Sequence, residues 1–278
     1  MTTLRVSSLP LVAERSPFPT PLFENAAAYE GFMAQWSAVV GSVFLEWLSP
    51  LGGERWLDLG CGTGALTRLI AQKCGPTSIV AIDAEPAQID YARHRCINGD
   101  VSYHVADARH LPFSSGSFDI VASGLVLNFI PEPGLALSEM FRVGCPGATV
   151  GAYVWDFENE MSPTGPLRSG MRRFGISLPE IAGAGSSNLA ALYSGIEQAG
   201  FTEIATTAID ISVEFADFPS FWRAQTSSHS STTSIIAGLS EKERVALAES
   251  VRGGLPRRGD GSIHYPARAN AIKARIGR

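Results

Sequence analysis

Apolar residues along this chain change their spacing repeatedly, and each change marks an element. From Tyr29, apolar side chains at Phe32, Met33, Trp36, Val40, Val43, Phe44, Trp47 and Leu48 recur every three or four positions. That spacing predicts one helix face, with a break near Gly41. An apolar run through Leu57 and Leu59 predicts a strand, and Leu66, Leu69, Ile70 and Cys74 return to helical spacing until Gly75-Pro76 ends it. Ser78 to Ile82 predicts a second strand closed by Asp83. Pro86 then opens a helix carrying Ile89, Ala92 and Cys96, and Asn98-Gly99 turns into a strand from Val101 to Ala106. Phe118 to Ser123, a helix around Leu137, Met140 and Phe141, and a strand from Thr149 to Trp155 complete the alternation. Five apolar strands separated by helices predict an α/β fold, a Rossmann-like parallel sheet covered on both faces.

Past Trp155 the pattern loosens. Residues 156–188 are rich in Gly, Pro and Ser, Leu189 to Ala199 reads as a helix stopped by Gly200, and Glu203 to Phe215 reads as a strand. Residues 217–253 read as helical around a Ser/Thr-rich break at 226–234, and Ile263 to Ile276 as a last extended segment. The expectation is a seven-stranded, mostly parallel sheet with an N-terminal helical lid and a helical insertion before the last strand. A proline-interrupted arm, residues 1–24, precedes one domain, 25–278, with acceptor-site elaborations at about 156–188 and 217–260.

Charge and cysteine content narrow the partners. With 22 Lys plus Arg against 27 Asp plus Glu, the net charge of −5 argues against nucleic acid or an anionic membrane as the main partner. Neither a basic-then-apolar leader nor a membrane span is read in the chain. The four cysteines, Cys61, Cys74, Cys96 and Cys145, form no CxxC pair and have no histidine at zinc-ligand spacing, so reduced thiols in the cytoplasm and no metal are expected.

The candidate chemistry starts at Leu57-Asp58-Leu59-Gly60-Cys61-Gly62-Thr63-Gly64, a strand, a turn of alternate glycines and a helix start. Such a turn brings a ligand against bare backbone and helix N–H groups. Asp58 disfavours a pyrophosphate there and suits a cation. Asp83 falls about twenty residues on, where a carboxylate accepts ribose hydroxyls, and Asp107 ends the next strand within reach of a base. Together the three acids describe adenosine joined to a positively charged group.

This combination resembles the class I S-adenosylmethionine-dependent methyltransferases, in particular the group similar to ubiquinone and menaquinone biosynthesis methyltransferases. Asp107-Ala108-Arg109-His110-Leu111-Pro112-Phe113, running into Gly116-Ser117-Phe118-Asp119, carries the resemblance further, and it covers about residues 25–155. It implies S-adenosyl-L-methionine as cofactor. The methionine part would lie on Asp58, Gly60, Cys61 and Gly62, the ribose at Asp83-Ala84, and the adenine at Asp107 with the Ala108 amide. Gln88 stands where the family usually places an apolar residue on the adenine face. The resemblance also implies that Tyr29, Met33 and Trp36 close over the cofactor and that Ser123 to Leu127, Leu125 included, line the transferred methyl.

Methyl transfer to a small, partly apolar acceptor needs alignment and dryness, and only a phenol or alcohol acceptor would benefit from a base. His94 and His104 read as surface or packing residues, and His110 flanks the cofactor loop. His229 and His264 are the base candidates, each weighed against a bystander role. Asp156 is either a base or substrate contact, or a plain strand-end acid. Phe218, Phe221 and Trp222 either wall an apolar pocket or pack the core. Two other functions share the glycine turn: a nicotinamide-dependent oxidoreductase, which leaves Asp58 and Asp107 unexplained, and a non-catalytic binding module on the same fold.

Overall fold

The computed structural model describes residues 26–95, 99–227 and 231–277. The arm 1–24, Cys96 and His229 lie outside the described residues. Helix α1 (Ala26–Leu48) precedes β1 (Arg55–Leu59), α2 (Ala65–Lys73), β2 (Ser78–Asp83), α3 (Pro86–Arg93), β3 (Val101–Val105), β4 (Phe118–Gly124), α4 (Pro133–Val143) and β5 (Gly144–Trp155). Then come α5 (Gly165–Arg173), α6 (Leu189–Gln198), β6 (Thr202–Phe215), α7 (Phe218–Thr226), α8 (Ser231–Ala237), α9 (Glu241–Gly254) and β7 (Ile263–Arg275).

The seven strands form one sheet in the order β3-β2-β1-β4-β5-β7-β6. The first five run parallel, and β7 runs antiparallel to both β5 and β6. Strand β1, Arg-Trp-Leu-Asp-Leu, is buried at every position after the first because both of its faces are covered. On one face Trp56, Ile79, Ile120 and Tyr153 pack with Val40, Phe44 and Leu48 of α1. On the other Leu57, Ile82, Val121 and Val154 pack with Met140 of α4 and Ile196 of α6. The order reverses between β1 and β4, so their carboxyl ends open a crevice, the place where ligands bind in such sheets.

Four sequence expectations change. Helix α1 is continuous through Gly41: a Cβ there would lie 2.8 Å from Leu69, so the glycine serves close packing on α2. Strand β5 starts at Gly144 rather than Thr149 and takes in Pro146-Gly147 beside an irregular register with β4. The segment 156–188 contains α5, which buries Leu167 and Met171. The last part of the Ser/Thr-rich stretch read as a break, from Ser231, is helical and opens α8, where Thr232 accepts from Arg168 Nη1 at 3.1 Å and Ile236 is buried. Short polar side chains disfavour an isolated helix, and tertiary burial overrides that preference.

Candidate active site

The crevice encloses about 1160 Å³ of empty space, part of it open to solvent, on the scale of a small-molecule site. Its walls come from the ends of β1, β2, β3 and β4, from Ser37 of α1 and from Tyr153 of β5. The floor at β1 is the glycine turn, with Gly60, Gly62 and Gly64 at φ 73°, 53° and 80°. This is the left-handed region that a side chain disfavours. At Gly62 the nearest atom to a built Cβ is Gln88 Oε1 at 3.9 Å, so a side chain there would project into the crevice.

Asp83 fixes the turn from the neighbouring strand. Its Oδ2 accepts from Gly62 N and its Oδ1 from Glu85 N, both at 2.9 Å. Burial raises its pKa, and these backbone donors oppose that rise. Asp107 lines the crevice two residues beyond β3 and is held by Arg109, whose Nη2 donates to Oδ2 at 2.7 Å. That hydrogen bond holds the Asp107 carboxyl below its ordinary pKa. Ala84, Gln88, Ala108, Cys61 and Leu125 also line the crevice. Burial pushes the Cys61 thiol well up, which removes it as a nucleophile and leaves the small wall residue expected.

Asp58 stands behind the turn rather than in the crevice wall. It is buried; its Oδ2 accepts from Thr67 Oγ1 at 2.5 Å, and its Oδ1 has no hydrogen-bond partner among the described residues. Burial raises its pKa to about 7. Ser123 is likewise buried behind the wall with a hydroxyl unpartnered among the described residues. Met33 and Trp36 pack into the core, Trp36 edge-on to Phe215 at 5.9 Å, and α1 presents Ser37 to the crevice, one turn after Met33. The Tyr29 side chain lies outside the described residues.

Leu125 adopts φ 63°, an uncommon conformation for a leucine, and its N–H donates to Tyr153 O at 2.7 Å. Beyond it Val126, Phe129 and Ile130 form an apolar wall. Sequence reasoning missed Ser37, Phe129, Ile130 and Tyr153; the only signal for them was position, one turn along a helix or a few residues past a strand.

The other candidates fall elsewhere. Asp156 is buried in a turn, with both carboxylate oxygens accepting from Asn159 Nδ2 at 3.0 Å, which is the strand-end role. His264 sits at the β6–β7 edge, its Nδ1 3.3 Å from Glu214 and its Nε2 3.0 Å from Ser262 Oγ. His110 is exposed outside the crevice wall. Phe218 and Phe221 stack at 6.0 Å, and Phe221 is fully buried in the core. Among the described residues no cluster of His, Cys, Asp and Glu could hold a metal, and no helix is long and apolar enough to cross a membrane.

A glycine turn with room for backbone contact, a carboxylate at the next strand end and a second beyond the following one fit S-adenosylmethionine. Fold and crevice together are a Rossmann-like sheet with a ligand-sized site at its topological switch point. Residues 57–151 match the family model described as a methyltransferase domain. A demethylmenaquinone methyltransferase of Lactobacillus johnsonii is 33% identical over 129 residues, 45% of this chain and 51% of that protein. The chain thus spans about half the length of that relative. A solved Bacillus halodurans protein assigned as a methyltransferase superposes with a TM-score of 0.58 at 16% identity, over 86% of this chain and 99% of that one. A Haemonchus contortus phosphoethanolamine N-methyltransferase, solved with S-adenosylhomocysteine, gives a TM-score of 0.54 at 18% identity, over 92% and 60%.

Proposed function

We propose that the protein transfers a methyl group from S-adenosylmethionine to a small, partly apolar acceptor. The observation that carries this reading is one crevice lined by two kinds of wall. One holds the glycine turn, Asp83 and Asp107-Ala108; the other is formed by Leu125, Val126, Phe129 and Ile130.

The cofactor, when bound, supplies a methyl on a positively charged sulfur, ready for displacement by a nucleophile. The chain's own work is placement. Gly60 to Gly62 offer backbone to the aminoacyl end, Asp83 retains lone pairs for the ribose while bracing the turn, and Asp107, set by Arg109, faces the base. Phe129 and Ile130 exclude water and align an apolar acceptor. The Lactobacillus relative acts on a demethylmenaquinone by its name, which makes quinones and phenols the first acceptors to try. The proposed compartment is the cytoplasm, in keeping with free thiols at Cys61, Cys74 and Cys145.

Calorimetry with S-adenosylmethionine, S-adenosylhomocysteine and NADH tests the cofactor. Binding of the first two and not the third is expected, and NADH binding alone would restore the oxidoreductase. Release of S-adenosylhomocysteine across quinone, phenol, amine and carboxylate acceptors tests turnover. Cofactor binding with no turnover on any class would favour the binding module.

A further inference from the structure

Tyr153 lies on β5 beside Gly124 of β4, and its ring packs on Phe44 at a centroid distance of 4.8 Å. The side chain is almost fully buried, yet it lines the crevice. Two glycines make room for its hydroxyl. A Cβ on Gly124 would stand 2.7 Å from the phenol oxygen, and one on Gly41 3.1 Å from it. Neither glycine has a left-handed φ, so neither is required by its backbone. Gly41 even sits inside α1, where glycine costs about 1 kcal/mol relative to alanine. Gly41 also admits Leu69 of α2, and space beside the Tyr153 oxygen is what the two glycines share.

The position of that oxygen follows from the walls around it. Adenosine belongs to the Asp83 and Asp107 side, and the aminoacyl group to the glycine turn. The sulfur joins the two, which leaves it toward Gly124 and Leu125, the residues next to Tyr153. We propose that the Tyr153 hydroxyl oxygen contacts the sulfonium methyl of S-adenosylmethionine and sets a preference for the methylated cofactor over its demethylated product. The inference rests on the methyltransferase reading above. Hydrogens on a carbon attached to a cationic sulfur are polarised, so a phenol oxygen on a buried side chain attracts them. The product has neither the methyl nor the charge.

The test is calorimetric and needs no acceptor. Affinities of the full chain for S-adenosylmethionine and S-adenosylhomocysteine are measured for the wild type, Tyr153→Phe and Gly124→Ala. The first variant removes the oxygen; the second places a methyl group 2.7 Å from the oxygen's position, so the hydroxyl must shift. Tyr153→Phe should weaken S-adenosylmethionine about two- to fivefold while leaving S-adenosylhomocysteine unchanged, and Gly124→Ala should narrow the ratio of the two affinities. Equal weakening of both ligands would mark a structural or aminoacyl role and overturn the proposal, as would unchanged S-adenosylmethionine affinity. If the wild type binds neither ligand, the methyltransferase reading itself fails, a result distinct from loss of discrimination in the variants. Thermal midpoints of all three proteins separate unfolding from lost contact.

Discussion

Asp58 is a buried acid with one oxygen on Thr67 and the other on nothing among the described residues, and its burial has a measurable consequence. Its pKa is raised from 3.8 to about 7, chiefly by desolvation. Below pH 3.8 the carboxyl is neutral in both the folded and unfolded states, and its contribution to stability is fully present. As pH rises toward 7 the unfolded chain ionises first, so stability falls, and above the folded pKa the loss levels off. Integrating between pH 5 and pH 8 with these two values gives a loss of about 2.5 kcal/mol from this one group. Asp58→Asn keeps a side-chain oxygen for Thr67 and cannot ionise. Urea unfolding of both proteins at pH 5, 6, 7 and 8 should therefore show the variant gaining about 2.5 kcal/mol on the wild type across the series, other titrations cancelling in the difference. A stability gap that stays constant with pH would show that Asp58 is ionised throughout and refute the reasoning. The same group links stability to the proposed function. A cation bound near it favours the carboxylate, so S-adenosylmethionine binding at pH 7 should release up to about half a proton. Calorimetry in phosphate and in Tris would detect the release, and Asp58→Asn should abolish it.

Other residues give equally direct tests. Gly60→Ala meets both a φ of 73° and Val126 Cγ1 at 2.5 Å, and should lower S-adenosylhomocysteine affinity more than about tenfold by calorimetry. Asp83→Asn loses one of the two acceptors that brace the turn and should weaken the same ligand by about 10- to 100-fold, with the thermal midpoint reporting the smaller cost to folding. Asp119 is held down to about 2 by a two-point pair with Arg55. Both partners are partly exposed, so Asp119→Asn should cost only about 1 kcal/mol at pH 7, a difference that shrinks as pH falls from 3.8 through 2. Phe221→Ala, at a fully buried ring, should cost about 3–5 kcal/mol in urea unfolding.

The legible part of this chain is the part governed by short periods. Apolar runs such as Ser78 to Ile82 have nowhere to go except a doubly covered strand, and the glycine turn is dictated by backbone conformation at Gly60, Gly62 and Gly64. Strand-end acids at Asp83 and Asp107 then land on one crevice because parallel strands end on one side. Side-chain direction is a different matter. Met33 and Ser37 share a helix face, and only packing decides that the methionine goes to the core and the serine to the crevice. Tyr153 looked like one apolar strand residue among several; its role depends on the glycines at 41 and 124, which are remote in sequence. Helices α5 and α8 were illegible for a related reason. The glycines and arginines of α5 and the Ser-Thr-Thr-Ser start of α8 give little local helical signal, and long-range burial and the Arg168–Thr232 hydrogen bond hold them.

The helical insertion and α1 also belong to one body. Met33 and Trp36 of α1, Leu167 and Met171 of α5, Phe221 of α7 and Val251 of α9 fall in a single buried cluster. Trp36 packs edge-on to Phe215 at the end of β6, and Phe215 in turn packs edge-on to Phe221 at 5.3 Å. A lid that swings on its own would need an interface it could leave cheaply, and burying several aromatic and aliphatic side chains at about 1.5–3 kcal/mol each does not provide one. Gly41 lets the same helix pack closely on Leu69 of α2, the helix that follows the glycine turn. The described part of α1 is thus a fixed wall that couples the cofactor side of the crevice to the insertion. Truncating Trp36 should therefore loosen the packing around Phe215 and Phe221 as well as the ground beneath Ser37, so that stability and cofactor affinity fall together.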